Sequence, residues 1–131
     1  MSAISELYDY IFDKCEEWGY DTYDHLPLES ENAKYPFVIC GEQQTTTAPI
    51  IGGINASAYV TVHVWGSRRQ QTEVDEMLNK INTLAYQSAF ETKNYTYTGN
   101  TGVIDSHVIS DDSIPNTVLW HGFTTIGFGL R

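Results

Sequence analysis

Four histidines, His25, His63, His107 and His121, are the residues of this 131-residue chain best suited to holding a metal or moving a proton. Their spacing argues against a metal. No His-x-x-x-His pair falls on a helical stretch, and no cysteine sits beside any of them in sequence. Strand pairing could still bring His107 and His121 together, but ordinary hydrogen-bonded sheet histidines are the expectation. Asp105, Ser106 and His107 supply the residue types of a nucleophilic triad. On an extended strand, however, Asp105 and His107 project to one side and Ser106 to the other, so the hydroxyl does not reach the imidazole. Asp111 and Asp112 are adjacent carboxylates able to hold a cation, yet beside Ser113 they read as turn formers. The sequence lacks a Gly-x-x-x-x-Gly-Lys phosphate loop, a Gly-x-Ser-x-Gly elbow and a His-Glu-x-x-His helix. Cys15 and Cys40 read as reduced core thiols. The expectation is a protein without catalytic activity, cofactor or metal.

The elements that would position these residues follow from hydrophobic spacing. Ile4, Leu7, Tyr8, Ile11, Phe12, Cys15 and Trp18 recur at helical intervals, with Gly19 as a stop, which predicts an amphipathic helix over Ala3 to Trp18. A polar connection over Tyr20 to Ala33 leads to a buried strand around Phe37 to Cys40. Ala58 to Trp65 alternates, with Tyr59, Thr61, His63 and Trp65 on one face and Ala58, Val60, Val62 and Val64 on the other. The two strands read as a hairpin joined by a long Gly-rich loop from Gln43 to Ser57. Val74, Met77, Leu78, Ile81, Leu84 and Ala85 mark a second helix running to about Ala89, starting near Ser67 or at a Thr72 and Asp75 capping pair. Tyr95 to Tyr97, Val103 to Ser110 and Val118 to Leu130 complete the chain as strands, separated by a turn over Gly99 to Gly102 and a loop over Ser110 to Asn116. This order predicts one α+β domain over residues 1–131: a mostly antiparallel or mixed sheet of four to five strands with two helices packed on it.

Composition excludes several function classes. Seventeen acidic residues against seven basic ones give a net charge of −10, which disfavours tight binding to nucleic acid, acidic membranes and polyanions. The surplus concentrates between Met1 and Glu31, where Lys14 is the single basic residue. No apolar run is long enough to span a bilayer, and the first residues carry acids where a secretion signal needs basic residues, so a soluble, cytoplasmically made chain is expected.

Four segments carry a resemblance to a known family. YDYIFDKCEEWGYDTYDHLP leads into YPFVICGEQQ, followed by YVTVHVWGSRRQQTEVDEML and a closing IPNTVLWHGFTTIGFGLR. Together, over Leu7 to Leu130, they resemble the small tail-terminator, tail-completion or head-tail joining proteins of long-tailed bacteriophages in pattern and order. The resemblance implies a virion structural protein, made in the bacterial host and located in the tail or neck. Such proteins assemble as rings, typically hexamers, that cap the tail tube, end its polymerisation and meet the head connector or head-completion protein. DNA passes transiently and non-specifically through the ring, and no membrane is involved.

The residues are compatible with that role. A domain of this length has a radius of gyration of roughly 14 Å, so a DNA channel must be shared among several copies. A closed ring needs two different contact patches per subunit. Thr46, Thr47, Pro49, Ile50 and Ile51 of the long loop are expected to supply one patch, against a neighbour or the tail tube, with Asp111 and Asp112 as a second. If the first helix lined the lumen, Glu6, Asp9, Asp13, Glu16 and Glu17 would repel the DNA phosphates and let them slide. A rival reading is an acidic DNA mimic or other protein-binding inhibitor, although the strands carry few of the spaced acids that mimicry requires.

Overall fold

The computed structural model describes residues 3–27, 33–50, 53–87, 89–113 and 115–130. Helix α1 (Ala3–Glu17) is followed by β1 (Thr22–Tyr23), β2 (Phe37–Ile50), β3 (Gly53–Ser67), α2 (Gln71–Asn82), β4 (Phe90–Glu91), β5 (Thr96–Asp111) and β6 (Leu119–Leu130). A short 3-10 turn over Thr83–Tyr86 extends α2. The strands form one sheet in the order β1-β2-β3-β6-β5-β4, curved into a half-barrel. Pairing is antiparallel throughout except between β1 and β2.

This corrects the expected four to five strands, since the described residues alone form six. The two additional strands are two residues each. Neither is long enough to show alternation, and Thr22–Tyr23 lies inside the segment read as a connection. Two predicted loops also turn out to be strand. Residues Gln43 to Ile50 pair with Gly53 to Val60, so the hairpin is laddered almost to its tip. Thr96 to Asp111 runs as one strand across the expected Gly99 to Gly102 turn, its register shifting between Thr98 and Gly102 and again between Val103 and Asp105. Glycines that usually end a strand here accommodate irregularities within it, Gly102 at φ +75°.

Both helices cover the same face of the sheet. Leu7, Ile11 and Cys15 from α1 and Val74, Met77, Leu78 and Ile81 from α2 pack onto Val38, Cys40, Val60, Val62, Val64, Ile126 and Phe128. The end of α1 is set by Gly19 at φ +87°, with Gly19 N–H donating to the Glu16 carbonyl and Tyr20 N–H to that of Cys15. That pair of bonds satisfies two carbonyls the helix leaves over, in a left-handed conformation that glycine adopts freely. The start of α2 departs from expectation. Its cap is Gln70, whose side chain accepts from Ser67 N–H at 2.9 Å, rather than Thr72 or Ser67 itself.

Cys15 and Cys40 are both free and buried where α1 meets β2. A hydrogen bond with Cys15 and burial push the Cys40 thiol well above its ordinary ionisation range. Beside it, the Tyr8 hydroxyl donates to the Cys40 carbonyl at 3.1 Å, and desolvation raises its pKa to about 12. No helix among the described residues is long and apolar enough to cross a membrane.

α2 sits close to β6 because Gly122 has no side chain. A Cβ there would meet Leu78 Cδ1 at 2.6 Å and Val74 Cγ1 at 2.8 Å, both in the packed core. We expect Gly122→Ala to destabilise the domain by about 1–3 kcal/mol in urea unfolding, the usual cost of overpacking. An unchanged midpoint would show that α2 is free to shift.

Candidate functional site

The long strands β2, β3, β6 and β5 alternate in direction across the sheet, and their outer sides are only partly covered. β1 pairs with β2 at Val38 and Ile39, where Val38 N–H also donates to the Asp21 carbonyl. β4 pairs with β5 at Thr96 and Tyr97, and Gly99 N–H donates to the Gln87 carbonyl. Among the described residues, no strand pairs with β2 from Gly41 to Ile50 on its outer side, or with β5 from Gly102 to Asp111. The two covers lie at opposite ends: β1 near the start of β2, far from the hairpin tip, and β4 on the tip side of β5.

Natural edge strands are usually blunted by lysine, proline, shortness or a covering element. The open stretch of β5 is long, contains no lysine, arginine or proline, and exposes Ile104 (55%) and Ile109 (46%). Open β2 carries no charged residue from Gln43 to Ile50, although Pro49 removes one backbone donor near the tip.

The residues expected to make contacts distribute unevenly over these features. Thr46, Thr47, Pro49 and Ile50 fall on the outer strand of the hairpin, paired with Ser57, Ala56, Ile54 and Gly53 respectively, rather than in a free loop. Ile51 lies outside the described residues. Asp111 ends β5 and accepts from Ser113 N–H at 2.9 Å in a turn; the Ser113 side chain first, and this N–H second, hold its carboxyl below the ordinary value, and Asp112 is exposed beside it. Asp9, Asp13, Glu16 and Glu17 lie along the exposed face of α1, where Glu17 also approaches Lys14 at 3.7 Å.

Glu6 does not belong to that face. It is buried, and its carboxylate accepts from Asn94 N–H at 3.0 Å and Asn94 Nδ2 at 2.8 Å, tying α1 to the turn before β5. Spacing alone could not reveal this, because the partner is 88 positions away.

The helix-free face of the sheet assembles residues that sequence spacing did not connect. Trp65, His63 and Thr61 of β3 stand beside His121, Phe123 and Thr125 of β6, and beside Ile109, His107 and Asp105 of β5. Trp65 and His121 stack at 4.0 Å, and His63 Nδ1 shares a hydrogen bond of 2.8 Å with His121 Nε2. The rings of His107 and Phe123 meet at a steep angle with centroids 3.9 Å apart, while His107 Nδ1 lies 3.1 Å from Asp105. Ser106 turns to the opposite face, where it accepts from Asn82. Thus the pair brought together is His63 with His121, not His107 with His121. The signal was the register of β3 against β6, which no single strand carries. Among the described residues, no group of three or more histidine, cysteine or carboxylate side chains is placed to hold a metal. An open cleft of about 380 Å³ contains Asp21, Glu73 and Glu76 in its lining and no basic residue.

The Glu6 contact gives a pH-dependent prediction. The Asn94 side chain, foremost, holds the Glu6 carboxyl below its ordinary value of 4.5. Its contribution to stability is therefore fully present above that value and lost as pH falls through the lower native one. Glu6→Ala should unfold at lower denaturant than the parent at pH 7, with the difference shrinking below about pH 4; a difference independent of pH would mean that the carboxylate charge plays no part. Compared with known proteins, the chain matches no described family profile and no curated protein.

Proposed function

We propose that this chain is a virion structural protein of a long-tailed bacteriophage that self-associates into a ring at the end of the tail tube, ends tube growth and joins the tail to the head. The single observation that supports this reading best is the pair of open strand edges on opposite sides of one sheet. Head-to-tail association needs two different patches on each subunit, and a rotation that closes turns such contacts into a ring. A long, uncharged-by-lysine edge bearing exposed isoleucines is a surface that a partner strand completes. The resemblance in pattern and order supplies the biological setting. The exposed acids Asp9, Asp13, Glu16 and Glu17 are available to keep passing DNA from adhering if α1 faces the channel.

Ile104→Lys combined with Ile109→Lys tests the edge. Both side chains are exposed on one protomer, so the far-UV spectrum and unfolding midpoint should stay close to those of the parent. Assembly should fail, and phage carrying the double substitution should show tails of uncontrolled length or tails lacking heads by electron microscopy. Normal tails and full infectivity would refute the proposal.

A further inference from the structure

We infer that His63 and His121 form a proton-operated latch on the helix-free face of the sheet: one proton taken up by the pair tightens it, and a second opens it and releases Trp65. The latch lies within one copy of the chain, whatever that copy assembles with.

The two rings meet nitrogen to nitrogen. His63 stands opposite Phe123 and His121 opposite Trp65, so the histidines are diagonal neighbours across the antiparallel pair of β3 and β6. His63 Nδ1 lies 2.8 Å from His121 Nε2. The ring centroids are 5.1 Å apart with an interplanar angle of 22°, which leaves room for that contact and little else between them. A bond between two imidazole nitrogens needs a proton on one and a lone pair on the other. With both rings neutral it is an ordinary hydrogen bond, and with one ring protonated it becomes charge-assisted and stronger. With both protonated, two N–H groups and two positive charges face each other, and no bond remains.

The surroundings decide which ring takes which proton. Trp65 lies over His121 with centroids 4.0 Å apart and the planes 3° from parallel, a placement that favours a cation. Asp111, at the end of β5, is held low foremost by Ser113 and also by the charge of His121. On the β2 side His63 meets Ile39 and Gly41, where a Cβ would come within 3.1 Å of its ring, and Glu42, the single acid of β2, falls at the register shift between Cys40 and Gln43. β3 itself adds Tyr59 and Thr61 on this face. His107 of β5 shares a row with Phe123 and His63, with Phe123 between the two histidines, and is bonded to Asp105 at 3.1 Å. Beyond Trp65, Phe37 and Tyr23 lead to the exposed pair of Asp24 and His25. Among the described residues, no strand carries lysine or arginine. The first proton therefore rests on His121 Nε2, which donates to His63 Nδ1, and the second must enter at His63 Nδ1.

Opening alters the face. Once both rings are charged, His121 turns from His63 and the half-buried Trp65 loses its parallel partner. An aromatic row then becomes a cationic one, to which His107 adds its own charge. Relative to the unfolded chain, the native pair binds the first proton more tightly and the second more weakly. The latch thus adds stability as pH falls through the first step and loses it through the second.

Nitrogen-15 NMR of the imidazoles in the full chain tests this. His63 and His121 should titrate together in two steps separated by about one pH unit or more. The ring-current shift that Trp65 imposes on His121 should survive the first step and vanish in the second. In His63→Gln, whose amide oxygen still accepts from His121 Nε2, a single step should remain and the shift should persist through it. The urea midpoint of the parent relative to that variant should rise and then fall between about pH 8 and about pH 5. Independent titration of both rings in single steps at about 6.5 would overturn the latch, as would loss of the Trp65 stack in the first step. If His63→Gln does not fold, the two steps and the ring-current shift of the parent decide alone.

Discussion

Main-chain hydrogen bonding along four alternating strands is the constraint from which the rest of the molecule follows. Each strand satisfies its neighbours inside the sheet, and the helices then have one apolar face to cover. Because α1 and α2 cover the same face, the core forms as a single layer with Val60, Val62 and Val64 of β3 at its centre. The opposite face is left to residues that tolerate water on one side, among them Trp65, His63, His121 and Thr125. The same bonding leaves donors and acceptors over at the outer strands, where, among the described residues, two-residue strands and a few loop contacts meet them. Interior and edge are thus two outcomes of one ladder, the first closed on itself and the second ending in backbone groups that face outward.

The fold was legible wherever a segment was long enough to express its period. The stripe on α1 from Leu7 to Cys15 and the clean alternation of β3 both appear as the chain adopts them. Legibility failed where tertiary pairing overrode local chemistry. Glycines and polar residues over Gly99 to Gly102 carry turn signals, but β6 pairs alongside and holds the segment extended with bulges. The threonines of β2 likewise look like loop residues until the facing strand, from Gly53 onward, is counted. β1 and β4 exist only because neighbouring strands offer them bonds.

The candidate site divides along the same line. Local spacing correctly separated Ser106 from Asp105 and His107, because alternation on a strand is a local property. It placed Glu6 among the acids of α1, because a helical wheel does not show which flank another segment will occupy. The histidine pair His63 and His121 depends on the relative register of two strands 58 positions apart. Gly41 contributes as well: a Cβ there would come within 3.1 Å of the His63 ring, so its absence gives the imidazole room.

The two sulfur atoms in the core have one further consequence. Exchange and oxidation start from a thiolate, and Cys40 is held protonated by its neighbour and by exclusion of water. Passage from a reducing to an aerated medium would therefore leave Cys40 without a route to scrambling. The join between α1 and β2 is thus held by packing and hydrogen bonding, with the two thiols serving as apolar filling instead of a covalent staple.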